Sequence, residues 1–237
     1  MRIAVISRPD DRRLIYLYKK FSENNLKIEL IVMARKKDKK ADTLRRIKEM
    51  VNKVLISGQK NTIVFPEEMR RITMKTQDQN SDEVKQALIE RKIDVIFLSK
   101  AGIIKPNIIN GPWKIVNCHP AILPRYRGLG SCEWAVYNGG PLGVTAHFID
   151  AGVDTGNILH REFVKPLAEE TYHEFRKRID FIGVDVMLKM AKMFIVNQSI
   201  PEEFQTLDMG VLYRRKPFPG EMTYIIKAFV NLRNGNV

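Results

Sequence analysis

The sequence has few of the features that mark secreted, membrane-spanning or metal-binding proteins. Its 237 residues include only two cysteines, Cys118 and Cys132, too few for a disulfide framework, which favours a reducing cytoplasm. No apolar run approaches the roughly 18 residues that cross a bilayer, and the N-terminus becomes charged too soon for a signal peptide. The four histidines lack close ligand spacing, so we expect no metal and no membrane partner.

Acidic residues are also scarce, and this imbalance leaves several partners open. Lysine and arginine number 40 against 27 aspartate and glutamate, which gives a formal net charge of +13. That charge suits RNA, an acidic membrane surface or a phosphorylated substrate, and it equally suits a solvated, lysine-rich surface. The densest basic run, residues 35–40, contains no aromatic side chain on which a nucleic-acid base could stack.

A glycine-rich dinucleotide loop is missing as well. After the first predicted strand the chain reads Ser7-Arg8-Pro9-Asp10-Asp11, where a Gly-x-Gly-x-x-Gly turn would otherwise stand. What the chain does contain is an alternation of apolar strands and amphipathic helices. This alternation predicts an α/β fold, a Rossmann-like and mostly parallel sheet with helices on both faces. Ligands of such sheets bind beyond the carboxyl ends of the strands.

The predicted elements follow from apolar spacing and capping residues. Strands are expected over residues 2–7, 27–34, 61–65, 93–99, 113–118, 143–149 and 157–164. Helices are expected over 14–21, over 44–55 and after Ser81, and a capping box at Thr171 and Glu174 opens a long one. The pattern weakens after about Asn197. We therefore expect a main domain over residues 1–197 and a short C-terminal extension over 198–237.

The extension contains apolar residues with two interpretations. They form either the pairing surface of a homodimer or a helix that packs back on the domain. The residues concerned are Tyr224, Ile225, Ile226 and Phe229.

Three polar residues lie at the ends of apolar runs in the second half of the chain. Asn117 and His119 are two apart at a strand end, so extended backbone puts both side chains on one face, and Pro120 favours that extended backbone. Asp154 follows in a glycine-containing loop. Each residue also has an interpretation without a catalytic role. Asn117 could cap its strand, His119 could be an ordinary surface histidine, and Asp154 could hydrogen-bond only the backbone of its own turn.

Neighbouring residues leave part of this site open. Asp150 is as good a turn residue as Asp154, so the sequence alone does not choose the working carboxylate. His147 is interpreted either as a buried polar residue with a partner or as support for the site. Cys118 should face away from His119, which makes a cysteine nucleophile a weak alternative.

An amide, an imidazole and a carboxylate suit the transfer of an acyl-like group to an amine, or its hydrolysis. The amide can donate a hydrogen bond to a developing oxyanion. An imidazole near neutral pH can accept a proton from an attacking amine, and a carboxylate can orient that imidazole.

Three spaced motifs resemble the formyltetrahydrofolate-dependent formyltransferase family over roughly residues 78–195. They read Asn117-x-His119-Pro120-x-Ile122-Leu123-Pro124-x-Tyr126-Arg127-Gly128, then Gly143-Val144-Thr145-x-His147-Phe148-Ile149-Asp150, then Gly152-x-Asp154-Thr155-Gly156-x-Ile158. The resemblance implies the formyltransferase fold, a catalytic domain over 1–197, and formyltetrahydrofolate as the formyl donor. It also implies that Asn117, His119 and Asp154 form the catalytic triad.

The resemblance further implies where ligands bind. The folate would lie, largely through backbone groups, against Ser99, Lys100, Ala101, Gly102, Ile103, Ile104, Asp150, Gly152 and Val153. The residues expected to bind the second substrate are Arg8, Arg127 and His147, with Arg12 as a further candidate for a diphosphate.

The family branches differ in the amine that they formylate. The glycinamide ribonucleotide enzymes carry a Gly/Ser-rich phosphate loop where this chain has Arg8-Pro9-Asp10. The methionyl-tRNA enzymes carry a basic loop near the position of residues 35–40, but also a C-terminal barrel for which a chain ending at Val237 is too short. The nucleotide-sugar N-formyltransferases remain, and Phe148-Ile149-Asp150 and Glu133-Trp134-Ala135 are more similar to that branch.

We therefore expect an enzyme that formylates a nucleotide-linked amino sugar of the dTDP-4-amino-4,6-dideoxyhexose type, for O-antigen or lipopolysaccharide biosynthesis. A methionyl-tRNA formyltransferase-like enzyme is the alternative within the family, which makes tRNA a less favoured partner. A formyltetrahydrofolate hydrolase, a folate-binding protein and a basic nucleic-acid-binding module are the alternatives from other classes.

Overall fold

The computed structural model of the chain describes residues 1–34, 65–196, 200–206, 208 and 210–235. Three predicted features therefore lie outside the described residues: the basic run at 35–40, the helix over 44–55, and residues 61–64 of the third predicted strand.

The strands form one large sheet and one small one. Their bounds are β1 Ile3–Ser7, β2 Ile28–Ala34, β3 Thr73–Thr76, β4 Val95–Ser99, β5 Lys114–His119, β6 Tyr126–Gly128, β7 Gly143–Phe148, β8 Ile158–Phe163 and β9 Val211–Tyr213. In the described part of the chain, seven of them form a sheet in the order β3-β2-β1-β4-β5-β7-β8. The strands from β3 to β5 are parallel, and β7 and β8 are antiparallel at one edge. Strands β6 and β9 form a separate parallel pair.

Two of the helices begin at capping residues that the sequence predicts. Their bounds are α1 Arg13–Glu23, α2 Glu67–Arg71, α3 Asp82–Glu90, α4 Pro106–Ile109, α5 Ser131–Tyr137, α6 Tyr172–Val196 and α7 Pro219–Arg233. The Ser81 hydroxyl accepts a hydrogen bond from the backbone N–H of Val84, as predicted for an N-cap. Thr171 and Glu174 form the predicted capping box, because each backbone N–H donates to the other side chain at 2.9 and 3.3 Å.

Side-chain alternation along the strands divides the core into two layers. Val5 packs in one cluster with Phe21 of α1 and Phe175 of α6, whereas Ile6 packs in the other with Leu88 of α3. Because successive strand residues point to opposite faces, helices cover both faces of the sheet. The predicted α/β fold with a mostly parallel sheet is confirmed.

Several short elements were not predicted from the sequence, among them α2, α4, β6 and β9. The strand beside β2 is β3, whose residues are mostly half-buried, and no strand was predicted there. Helix α5 was not predicted either, since its seven residues are too few for a clear period. None of the helices in the described residues is long and apolar enough to cross a membrane.

The C-terminal extension contacts the main domain directly. Ile225 and Phe229 on α7 are buried in the larger core cluster, and the Phe229 ring lies 5.1 Å from that of Phe175. Packing back on the domain is thus the correct interpretation for these two residues. Tyr224 and Ile226 remain exposed.

Candidate active site

The carboxyl ends of three parallel strands meet at one edge of the sheet. Ser7 of β1 is paired with Ser99 of β4, and Leu98 of β4 with Asn117 of β5. His119 is the last residue of β5. The loops after β1 and β4 therefore adjoin the end of β5, where ligands of such sheets bind.

Asn117 is held by a buried histidine on the neighbouring antiparallel strand. The register pairs Asn117 with His147, and the Asn117 Nδ2 atom lies 3.2 Å from His147 Nε2. The His147 Nδ1 atom lies 2.7 Å from the Phe148 carbonyl oxygen. A carbonyl only accepts, so Nδ1 carries the proton and donates it. In the neutral ring Nε2 is then an acceptor, and it takes a hydrogen bond from the Asn117 amide.

The environment of His147 favours this neutral ring. Its side chain is fully buried, and burial lowers the pKa of His147, an effect that the neighbouring Asp154 carboxylate offsets only in part. The ring lies behind Asn117 and within 3.7 Å of Asp154, which agrees with a supporting role. Its predicted role in substrate binding stays a prediction.

Asp154 reaches both histidines from the loop between β7 and β8. This loop starts beside Ile115, whose carbonyl accepts from Ile149 N at 2.9 Å, yet Asp154 contacts His119, four residues further along β5. Its Oδ2 atom lies 3.4 Å from His119 Nδ1, and its Oδ1 atom lies 3.7 Å from His147 Nε2. The loop thus folds back along the strand and brings the carboxylate to the site.

Two further contacts fix the carboxylate and the imidazole. The backbone N–H of Gly128 donates to Asp154 Oδ2 at 2.8 Å. His119 Nε2 lies 2.7 Å from the Tyr126 carbonyl oxygen, so this nitrogen carries a proton and is occupied. The ring nitrogen that faces Asp154 is Nδ1, and a protonated His119 has both of its N–H groups paired.

The structure distinguishes the two candidate carboxylates. Asp150 is exposed, and its Oδ1 atom accepts from Gly152 N at 3.0 Å and from Thr155 Oγ1 at 2.6 Å. It therefore closes the local turn that the sequence suggested for either aspartate. Asp154, with the histidines, is the carboxylate of the site.

Cys118 lies on the opposite face of β5, as the alternation predicts. It is buried in the larger core cluster, near Gly183 of α6. Burial strongly raises the pKa of the Cys118 thiol, so the thiolate needed for nucleophilic attack is disfavoured.

The loop after β4 contains the residues predicted to bind folate, and two side-chain amides hold it. Gln79 and Asn80 both donate to the Ile103 carbonyl oxygen at 3.0 Å, and Gly102 N donates to Gln79 Oε1 at 3.3 Å. Ile103 is 83% exposed while Ile104 is buried. Gln79 was not predicted as a site residue, because only the fold brings it next to this loop.

Asp11, which was also not predicted, ties the loop after β1 to the end of β4. Its fully buried carboxylate accepts from Ser99 Oγ at 2.6 Å and from Arg13 Nε at 3.0 Å. Burial alone would raise the pKa of Asp11, but the hydrogen bonds and charge of Arg13, with the Ser99 hydroxyl, outweigh it and hold this pKa below its usual value. The Ser99 side chain is therefore engaged by Asp11.

The remaining predicted residues lie around this edge. Arg8 is exposed and ion-paired with Asp10 at 3.1 Å. Arg127 is half-buried and precedes Gly128, whose N–H binds Asp154. Lys100, Gly152 and Val153 are exposed, and Ala101 is half-buried.

The arrangement brings a hydrogen-bond donor, a proton acceptor and an orienting carboxylate to one place, in Asn117, His119 and Asp154, with His147 between Asn117 and Asp154. In the described part of the chain, no group of three or more His, Cys, Asp and Glu side chains is placed to hold a metal ion.

Comparison with known proteins identifies relatives in sequence and in fold. A family model described as formyl transferase matches residues 1–191. The chain is 33% identical over 111 residues to a methionyl-tRNA formyltransferase from Solibacter usitatus, which is 46% of this chain and 36% of that protein. The chain therefore spans little more than a third of the length of this relative.

Solved structures share the fold along nearly the whole chain. A sugar N-formyltransferase from Shewanella sp FDAARGOS_354 superposes with a TM-score of 0.64 at 13% identity, over 96% of this chain and 87% of that one. A formyltransferase from Anoxybacillus kamchatkensis, in complex with UDP-4,6-dideoxy-4-formamido-L-AltNAc and tetrahydrofolate, superposes with a TM-score of 0.54 at 18% identity, over 94% and 89% of the two chains. At these identities the likeness establishes the fold.

Proposed function

The chain belongs to the formyl transferase family, and on this premise we propose that it transfers the formyl group of formyltetrahydrofolate to the amine of a nucleotide-linked amino sugar. We propose residues 1–197 as the catalytic domain and 198–237 as a C-terminal extension, of which Ile225 and Phe229 pack in the larger core cluster. The observation that carries the proposal is that Asn117, His147, Asp154 and His119 lie together, with 3.2, 3.7 and 3.4 Å between the nearest polar atoms of successive members.

Asn117 is the proposed donor to the oxygen on which negative charge develops. One of its two amide N–H groups is directed to His147 Nε2, which fixes the orientation of the amide. The second N–H remains to bind the oxygen of the group being transferred. A donor that is fixed in advance stabilises developing charge better than one that must reorient during the reaction.

His119 is the proposed proton carrier. The attacking amine loses a proton, and the nitrogen that the formyl group leaves must gain one. His119 Nδ1 can do both, because Nε2 stays bonded to the Tyr126 carbonyl throughout. Asp154 holds the ring and stabilises its charged form.

The loop after β4 and the loop that carries Asp154 are the proposed folate site. When bound, formyltetrahydrofolate supplies the one-carbon electrophile. Ile103 and Val153 are apolar yet 83% and 51% exposed, and a flat heteroaromatic ring would cover such side chains. Gln79 and Asn80 hold the first loop in place through Ile103 O and Gly102 N. We propose that other backbone groups between Ser99 and Ile104, together with those of Asp150, Gly152 and Val153, bind the folate.

A nucleotide-linked amino sugar, such as a dTDP-4-amino-4,6-dideoxyhexose, is the proposed acceptor. Arg8 follows β1 at the carboxyl edge, and Arg127 lies next to the Gly128 that holds Asp154. Both would bind the diphosphate. Two solved structures of the same fold are a sugar N-formyltransferase and a complex with a formamido sugar nucleotide, which supports this class of acceptor. The product would enter O-antigen or lipopolysaccharide synthesis, and we propose a cytoplasmic homodimer.

Methionyl-tRNA is the second candidate acceptor. The sequence relatives at 33% identity are methionyl-tRNA formyltransferases, and the net charge of +13 suits a polyanion. This candidate predicts salt-sensitive tRNA binding, whereas sugar formylation predicts no need for tRNA.

The test is formyl transfer measured with purified protein, formyltetrahydrofolate and a panel of dTDP-, UDP- and GDP-linked amino sugars, with charged initiator tRNA in parallel. Formation of a formamido sugar nucleotide, followed by mass spectrometry, supports the proposal. Formylation of tRNA alone overturns the acceptor. Release of formate without any formylated amine identifies a hydrolase, and binding of the donor without turnover identifies a folate-binding protein.

A further inference from the structure

A short segment beyond the family-matched region lies along the loop that carries Asp154. Glu203 and Ile158 exchange two backbone hydrogen bonds, both of 2.8 Å. Asn157 Nδ2 donates to Glu202 Oε2 at 2.8 Å, and the Arg161 guanidinium forms a paired contact with the Glu203 carboxylate. Residues 202–205, the bracing segment, are therefore fixed beside residues 154–161.

The last residue of the bracing segment binds the backbone of the catalytic loop itself. Gln205 Nε2 lies 3.1 Å from the Asp154 carbonyl oxygen and 2.6 Å from the Gly156 carbonyl oxygen. Both partners only accept, so the amide nitrogen must face them, and its two hydrogens match two acceptors. The orientation of this amide is thus determined by its partners.

The backbone of Asp154 needs such support. Its φ is +54°, in the left-handed region that disfavours side chains with a Cβ, although aspartate tolerates it better than most. A residue persists in this region only when its surroundings hold it there. Gln205 donates hydrogen bonds to the carbonyls of Asp154 and Gly156, the residues before and after Thr155. Gly128 N donates to the Asp154 carboxylate.

The other half of the Gln205 amide adds no hydrogen bond within the described residues. Gln205 Oε1 is buried, and within the described residues it has no hydrogen-bond partner. The hydrogen bonds that Gln205 makes in the described part of the chain are thus the two to the backbone of the catalytic loop.

We propose that Gln205 is a positioning residue for Asp154: its amide fixes the loop so that the carboxylate meets His119 Nδ1. This inference rests on the proposed formyl transfer and extends it to a residue outside the matched range of 1–191. Gln205 touches no reacting atom in this scheme. It acts by limiting where the carboxylate, and through it the imidazole, can lie.

Two variants test this role. Gln205→Glu is nearly isosteric but turns carboxylate oxygens toward two carbonyl oxygens, and Gln205→Ala removes the amide without adding charge. Misplacement by about 1 Å costs up to about 100-fold in rate. We expect kcat to fall about tenfold in Gln205→Ala and further in Gln205→Glu, with the KM for the amine within about twofold of the parent. Gln86→Glu, the same exchange on the exposed face of α3, is the matched control.

A second readout separates this inference from the choice of acceptor. With ¹⁵N-labelled histidine, the ring nitrogen signals of His119 should shift in both Gln205 variants, while those of His160 on β8 stay unchanged. If the parent formylates no amine, the acceptor is wrong, and the His119 signals still test the positioning. Folded Gln205 variants with parental His119 signals overturn the inference, as do folded variants with parental kcat. If Gln205→Glu does not fold, Gln205→Ala decides alone.

Discussion

The side-chain nitrogen of Asn117 lies 3.2 Å from Nε2 of His147, on the adjacent antiparallel strand. The other nitrogen of that ring donates to the carbonyl of Phe148. A backbone carbonyl therefore sets the tautomer of a buried histidine, and the histidine sets the orientation of a half-buried amide. One orientation of Asn117 satisfies this series of bonds, and it leaves the second amide N–H for the proposed oxyanion.

Removing either polar group proposed to act on the ligand should reduce turnover strongly. Asn117→Ala deletes the proposed oxyanion donor, and His119→Ala deletes the proton carrier. Each should lower kcat on the order of 100-fold or more. Steady-state formyl transfer measures the effect, and near-normal turnover in either folded variant would discredit the assignment.

The role of His147 behind Asn117 can be separated from its bulk. His147→Leu fills similar space but removes the acceptor for Asn117, so kcat should fall about tenfold while the KM of the acceptor changes little. His147→Gln keeps an acceptor near the position of Nε2 and should retain more activity than His147→Leu. Equal activities of the two variants would contradict the hydrogen-bonding role. His160→Leu on the neighbouring strand is the control for loss of a histidine.

The buried ring of His147 should also make stability depend on pH. Its pKa is lower in the folded protein than in the unfolded chain, so between these values the unfolded chain binds more protons. Stability then rises with pH, and it should decline as pH falls below about 6.5, the ordinary histidine value. Urea unfolding at pH 5 and pH 7.5 measures this. In His147→Gln the difference between the two pH values should be smaller, and an unchanged difference would exclude His147 as a source.

Asp11 should matter more for stability than its exposed neighbour Asp10. Asp11→Ala leaves Arg13 and the Ser99 hydroxyl without their shared acceptor in a buried place, and breaking a buried ion pair in this way costs about 3 kcal/mol. Asp10 pairs with Arg8 at the surface, where such pairs contribute little. Denaturant midpoints of Asp11→Ala and Asp10→Ala provide the comparison. Similar midpoints would show that the Asp11 network is weak.

Much of the sheet could be predicted because its central strands are continuous apolar runs. Strands β1, β2, β4 and β5 are buried on both faces, and this leaves a clear signal in the sequence. Strand β3, Thr-Met-Lys-Thr, is short and half-buried, so neither apolar content nor alternation marks it. Its place is determined by pairing with β2, which is a tertiary contact.

The part of the candidate site that lies on one strand could be predicted from the sequence. The part that depends on how separate strands pair could not. Asn117 and His119 share a face because they are two residues apart on one strand. The position of His147 opposite Asn117 depends on how β7 pairs with β5, a contact across 30 residues of chain. Asp11 and Gln205 gave no local signal for the same reason, because their partners come from distant segments.

The left-handed backbone at Asp154 restricts which amino acids this position can accept. Asparagine and glycine fit the turn yet bring no negative charge, whereas glutamate brings the charge yet fits the turn poorly. Asp154→Glu, although it keeps the charge, should therefore disturb the conformation of this loop more than Asp154→Asn, which removes the charge. Aspartate alone among the standard amino acids meets both demands, so shape and charge independently favour the same residue here.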